Sequence, residues 1–278
     1  MAVIFALLTA IVYGVADYSG GRASRTASSA SVTFVGQSLS FVILIVVAIA
    51  LGDPIASTHD LLLSAGAGVA GSLGLLAFYR ALASGQMTVV APITALVGTV
   101  IPVVWGLVNG ERPGGVAYVG MAAAVLAVAL VTNAFGLHAA KISLQLVLLA
   151  AFGGACFASI FIAFDYTSRD AGVWPLLALR VVSVPLIFCV VVFTRKPMKL
   201  SGPSLRFALV SGVLDSGANW LYLLAAREGL LSIVAVVTSL YPVSTLLLAT
   251  SLDKEKLHKT QWVGIVFVVI ALVLVSAG

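Results

Sequence analysis

Of the 278 residues, 61% belong to the hydrophobic set and only 9% are Asp, Glu, Lys or Arg. A soluble domain carries roughly 45–50% apolar and about 25% charged residues, so the balance excludes a water-soluble fold. The net charge of +5 comes from basic residues that form no long run and are not interleaved with aromatics. This argues against nucleic acid as a partner and leaves the cations as topology signals.

In chain order, apolar runs bounded by charge, Gly and Pro predict spans at Ala2 to Tyr18, Ala30 to Leu51, Leu61 to Ala83, Met87 to Val108 and Gly115 to Ala134. A second set follows at Ser143 to Thr167, Val173 to Thr194, Leu205 to Ala226, Leu231 to Leu252 and Trp262 to Ala277. About 20 apolar residues in helix cross a bilayer core, and the continuous Val, Leu and Ala runs lack the alternation of a β-barrel. The expected fold is an all-α integral membrane protein of ten transmembrane helices with short loops. No Lys or Arg precedes the first span, and Arg22 and Arg25 follow it, the reverse of a cleavable signal, so it is expected to stay. Cys156 and Cys189 lie in apolar stretches at no metal or disulfide spacing and read as packing residues. Of the 15 Lys and Arg, eleven fall on odd-numbered loops; Arg112, Arg169 and Arg227 fall on even ones, and Arg180 lies inside the seventh span. The positive-inside rule then makes the odd loops cytoplasmic and puts both termini outside.

The chain repeats at an offset of 144 residues: Gly85 meets Gly229, Thr94 meets Thr238, Leu96 meets Leu240, Glu111 meets Glu255 and Gly120 meets Gly264. The expected division is a first five-helix repeat at 1–136 and a second at 141–278, together forming one membrane domain. Five spans is an odd number, so the second repeat enters the membrane from the opposite side. Two inverted units can expose one central site alternately to each face.

Tyr241-Pro242, Glu255, Lys256 and Gly264, echoed by Glu111, Arg112 and Gly120 at the same Glu-to-Gly spacing, resemble the drug/metabolite transporter superfamily in its ten-helix EamA type. Tyr13-Gly14 and Ala81-Leu82 add to the likeness. The resemblance implies secondary transport, often export, of small metabolites, with no nucleotide-binding domain, in the inner or plasma membrane of a bacterium. It also implies cytoplasmic termini, against the loop count. One departure is Gly98, which stands where the repeat register calls for the counterpart of Pro242; Pro92 and Pro102 flank it.

Ionisable groups inside a span cost roughly 2.5–3.5 kcal/mol at the helix centre on insertion scales and usually face a cavity or a partner. Ser211, Asp215, Asn219 and Tyr222 form a polar stripe on the eighth span, and their counterparts Ala67, Gly71, Leu75 and Phe78 are not polar. Thr9, Tyr13 and Asp17 form a second stripe opposite Gly153, Phe157 and Phe161. Asp17 reads either as a site residue or as an acid at the membrane surface. Arg180 either holds a substrate carboxylate or phosphate or pairs with Asp215, and Gln37 occupies a comparable place in the second span. Trp105, Tyr222 and Tyr241 are candidates to line a pocket, Trp174 and Trp220 poorer ones. Tyr241-Pro242 predicts a broken ninth helix, and Pro92, Pro102 and Pro185 are candidate bends. Local capping and surface pairing account for Glu111 and Glu255, with gating as the minor alternative.

The expected substrate-binding set is therefore Tyr13, Asp17, Gln37, Trp105, Arg180, Asp215, Asn219, Tyr222 and Tyr241. Asp215 comes first, and Asp17 second, as the group that exchanges a proton or holds an ammonium. The partners are a small-molecule substrate such as an amino acid, protons as the candidate coupling ion, and the lipid bilayer. Spans five and ten, with almost no polar side chains, offer peripheral support or an oligomer seam. A multidrug or cation exporter and a lipid-linked flippase are the rivals; a scaffold would need no inverted halves. His59, His138 and His258 fall in connections, and no phosphate-binding loop, metal spacing or catalytic constellation appears, so neither an enzyme nor a cofactor is expected.

Overall fold

With no water to hydrogen-bond, backbone in hydrocarbon has to satisfy its own amides, and helices do so within one segment. A computed structural model describes residues 1–82, 87–131, 143–252 and 258–277. Gly85, His138, Glu255 and Lys256, singled out above, lie outside the described residues, as do Lys141 and Lys254 of the loop count. The elements are α1 (Ala2–Ser24), α2 (Ser29–Leu51), α3 (Thr58–Leu82), α4 (Met87–Val108), α5 (Gly115–Val131) and α6 (Leu144–Asp165). After a 3₁₀ turn at Arg169–Ala171 come α7 (Trp174–Phe193), α8 (Gly202–Glu228), α9 (Leu231–Thr238), α10 (Tyr241–Leu252) and α11 (Lys259–Ala277). Eight segments are long and apolar enough to cross a membrane, and Ile93–Val108 and Gly115–Val131 are shorter apolar helices.

The ninth expected span is divided at Ser239 and Leu240, immediately before Tyr241-Pro242. Proline donates no amide, so the ladder stops where α10 begins. The other candidate bends do not divide their helices: α4 runs through Pro92 and Pro102, and α7 through Pro185. α1 extends to Ser24, beyond the expected end at Tyr18, which sets Asp17 well inside its helix.

The halves interlock by the same contacts used twice. α1 packs on α8 and α10, and correspondingly α6 packs on α3 and α4; α2 meets α8 as α7 meets α3. The seams are built from small residues. Gly212 of α8 lies against the Gly36 backbone of α2, and its counterpart Gly68 of α3 lies against the Leu179 carbonyl of α7. On α1, buried Ala2, Ala6, Ala10 and Gly14 recur every four residues, one face of a helix. Gly14 touches α10 at the Tyr241 carbonyl, where the broken helix restarts. Lipid tails give helices no hydrophobic reason to associate, so such close approach supplies the van der Waals contact.

α5 and α11 show the two-fold most simply. Gly120 meets Leu274 and Val275, while its counterpart Gly264 meets Leu130 and Val131. The start of each helix touches the end of the other, so they run antiparallel and their halves are inverted. Large apolar side chains such as Ile49, Leu62, Val269 and Val273 stay exposed on the bundle's surface, as a lipid-facing exterior requires.

Gly212→Ala puts a methyl group into the Gly36 backbone and is expected to destabilise by about 1–3 kcal/mol. A methyl at Gly66 of α3 meets open space, and Gly66→Ala is expected to be neutral or to stabilise by up to about 1 kcal/mol. Thermal unfolding of the two variants in detergent checks the difference.

Candidate functional site

Between the halves lies a cavity of about 100 Å³. A water needs roughly 10–15 Å³ on this scale, so the space takes a cluster of waters or one small solute. Tyr13, Asp17, Gln37, Arg180, Asp215, Asn219 and Tyr241 from the expected set all line it. Their positions fall along the middle stretches of α1, α2, α7, α8 and at the start of α10.

The walls differ in chemistry. One carries the polar side chains on α1, α2, α7 and α8; the other is built from Gly71, Leu75 and Phe78 of α3 and Phe157, Ile160 and Phe161 of α6. Both members of several repeat pairs line the space: Asp215 and Gly71, Asn219 and Leu75, Tyr13 and Phe157, Asp17 and Phe161. The duplication has thus produced a pocket with a polar and an apolar side.

Arg180 and Asp215 form an ion pair, the alternative that the sequence left open. Arg180 Nη2 also donates to Ser216 Oγ at 3.1 Å. The guanidinium is 4% exposed and the Asp215 side chain 37%, so the cation is sunk into the wall while the carboxylate borders the open space. Ser216 is hydrogen-bonded to Ser40 of α2, which ties the pair to the α2–α8 seam. Asn219 donates to the Asp215 carbonyl at 2.7 Å, so its amide is partly spent on its own helix. Asp17, in contrast, has no hydrogen-bond or ion-pair partner among the described residues. Gln37 Oε1 and Ser183 Oγ are buried cavity-lining atoms without a partner. Polar atoms held dry and unpaired are costly, and a solute or water in the space would supply their partners.

Two expected residues do not line the cavity. Trp105 sits near the end of α4, 43% exposed, and donates to the Tyr166 hydroxyl at 3.2 Å. Tyr222 is fully buried behind the wall, stacked on Phe161 with ring centroids 4.2 Å apart. Its place on the stripe of α8 turns it toward α6, so it backs a lining residue. Sequence reading missed Ser72, Thr94, Thr99, Ser183 and Ser239, which line the cavity but look like ordinary helix-packing hydroxyls. Ser72 and Thr99 donate to carbonyls four residues back, while Thr94 reaches the Ala150 carbonyl of the other half at 3.0 Å.

At the face carrying the even-numbered loops, the halves are fastened together. Buried Asp60 of α3 accepts from Ser168 N at 3.1 Å and from the Ser168 hydroxyl. Trp174 Nε1 donates to the Asp53 carbonyl at 3.2 Å, and within the second half Arg227 donates to the Gly172 carbonyl at 3.0 Å. Glu111 accepts from Leu231 N at 2.6 Å and Ser232 N at 3.0 Å. Local capping is therefore not what Glu111 does: it caps α9, in the opposite half of the chain, satisfying amides that no α9 carbonyl reaches.

The EamA-like transporter family model matches residues 1–133 and again residues 144–277, and the chain belongs to that family. It is a multi-pass membrane transporter of the drug/metabolite type. A solved structure titled "Crystal structure of protein" shares the fold, with a TM-score of 0.77 over 99% of this chain and 98% of that one at 14% identity. None of the curated proteins matches the chain.

Glu111→Ala leaves two α9 amides without their acceptor and is expected to lower stability by about 0.5–2 kcal/mol. The exposed Glu228→Ala is expected to change it little. Melting temperatures of the purified variants, compared under one detergent condition, provide the check.

Proposed function

We propose that the chain is a secondary active transporter that exports small amphipathic metabolites by alternating access, the solute resting in the two-sided cavity. The observation that carries this reading is the cavity itself: a space between inverted halves, with ionisable groups on one wall and mainly aromatic and aliphatic groups on the other. Two repeats, 1–136 and 141–278, would rock about the small-residue seams, where backbones touch and few side chains interlock. The fastened even-loop face supports a closed side there, which makes the odd-loop face the route of entry. By loop charge, that entry face is cytoplasmic, as export requires. Protons are the coupling ion that an acid in the cavity can carry.

Amino acids fit an Asp, Arg and aromatic set in which Arg180 is available for a carboxylate. The ion pair with Asp215 favours the second reading, an exporter of organic cations, because the guanidinium is already engaged. A buried pair of this kind is fragile to single changes, since removing one partner leaves an uncompensated charge at a cost of about 3–5 kcal/mol.

For the cation reading, Arg180→Met is expected to abolish transport, and the double variant Arg180→Met with Asp215→Asn to restore a measurable part of it. The assay is efflux from proteoliposomes loaded with amines, amino acids or nucleobases. Recovery of amino acid efflux by neither variant, with amine efflux recovered in the double, separates the two substrate classes. If the wild type moves nothing from a broad panel, the transport reading itself fails.

A further inference from the structure

Three ionisable side chains border the cavity, and with all three ionised their charges do not balance. Arg180 and Asp215 satisfy each other, with Ser216 taking a further guanidinium hydrogen. Asp17 borders the same space without a partner among the described residues. The titratable, charged and amide groups that share its lining are Tyr13 one turn earlier on α1, Gln37 of α2, Arg180 of α7, Asp215 and Asn219 of α8 and Tyr241 of α10. The one cation among them is already engaged, so the ionised set carries one surplus negative charge. In surroundings of low dielectric, a lone charge is strongly disfavoured unless a counter-charge joins it.

We propose that Asp17 exchanges one cationic amine for one proton, and that the solute is an amphipathic monoamine. It lies with its ammonium at Asp17 and its hydrocarbon against Leu75, Phe157 and Phe161. This rests on the transporter reading and adds a substrate class and a stoichiometry to it. The step is a simple exchange: Asp17–COOH + R–NH₃⁺ → Asp17–COO⁻···⁺H₃N–R + H⁺. The carboxylic O–H bond breaks, its electron pair stays on the carboxylate, and the proton leaves for the side from which the amine came. Either occupant brings the cavity to the same charge, so neither state is left with a bare carboxylate, and the two occupants exclude each other.

The surroundings of Asp17 suit an ammonium. The Tyr13 and Tyr241 rings stand edge to face at 6.5 Å between centroids, and aromatic faces attract a cation within about 6 Å. A zwitterion brings a carboxylate as well, and its natural partner, Arg180, is held by Asp215. The apolar wall asks for an aryl or alkyl body in place of that second charge.

The test uses the purified full-length protein in weakly buffered detergent with phenethylamine as the probe, and phenylalanine as its zwitterionic analogue. A pH-sensitive dye is expected to register one proton released per amine bound by the wild type and by Asp17→Glu. Asp17→Asn is expected to release none and to bind at least tenfold more weakly, with an unchanged gel-filtration profile showing that it is folded. On the wild type alone, amine affinity is expected to rise by up to about tenfold per pH unit while Asp17 is protonated in the empty protein, since amine and proton compete. Proton release undiminished in Asp17→Asn overturns the assignment. So does amine affinity independent of pH, or phenylalanine bound as tightly as phenethylamine. If proteoliposomes move phenylalanine and not phenethylamine, the amine class falls while transport stands. If they move no solute, both readings fall.

Discussion

Hydrocarbon imposes the constraint from which the rest of this molecule follows. It offers no water to an open amide and no hydrophobic reward for joining two apolar helices. What remains is contact, and contact needs helices whose backbones can touch. Gly68 and Gly212 supply that touch at equivalent places in the two halves, and Gly36 and Gly154 supply it where the counterparts are Arg180 and Ala10. A seam of this kind has little side-chain interlock across it, so two helices can be tightly packed and still slide. The even-loop face is fastened differently, by hydrogen bonds that Asp60 accepts from Ser168, that Trp174 donates to Asp53 and that Glu111 accepts from Leu231 and Ser232. Sliding seams beside a releasable clasp are what a rocking motion needs.

Much of the architecture was legible because the signals that carry it are one-dimensional. Apolar length fixes where helices run, and one constant offset fixes which residues are equivalent. From equivalence follows the antiparallel meeting of Gly120 with Val275 and Gly264 with Val131. The break before Tyr241 was legible because proline has a single chemical consequence for a helix. The silence of Pro102 and Pro185 was not, since a helix tolerates proline where neighbouring helices and local adjustment absorb the lost bond.

The site was legible where a residue is expensive. Asp17, Arg180 and Asp215 stand out in apolar text because each needs a reason to be there. Helical spacing put Tyr222 on the stripe of Asp215, but the stripe winds around α8, so its far end faces α6 and not the cavity. Cheap residues carried no such signal: Ser183 and Ser72 are unremarkable in any helix, and their place in the lining depends on how the halves meet. Glu111 was misread for a related reason. Its neighbours in sequence suggest a local role, whereas its partners, Leu231 and Ser232, lie on the far side of the duplication.

Duplication makes symmetry cheap, and in this chain the symmetry was kept for packing and lost for binding. Positions that set helix approach remain small in both copies, as at Gly68 and Gly212. Positions that face the solute have diverged: Tyr13 against Phe157, Asp17 against Phe161, Asp215 against Gly71. Asp17 and Asp215 already share one small space, and a symmetric pocket would double that pair and its repulsion. Divergence of the second copy keeps the number of carboxylates to two. For the proposed solute, a head that prefers α1 and α8 and a tail that prefers α3 and α6 would define one pose in each of two packings. The same divergence would make those packings unequal in energy, and the proposed exchange at a single carboxylate is the change in charge distribution that would shift the balance between them.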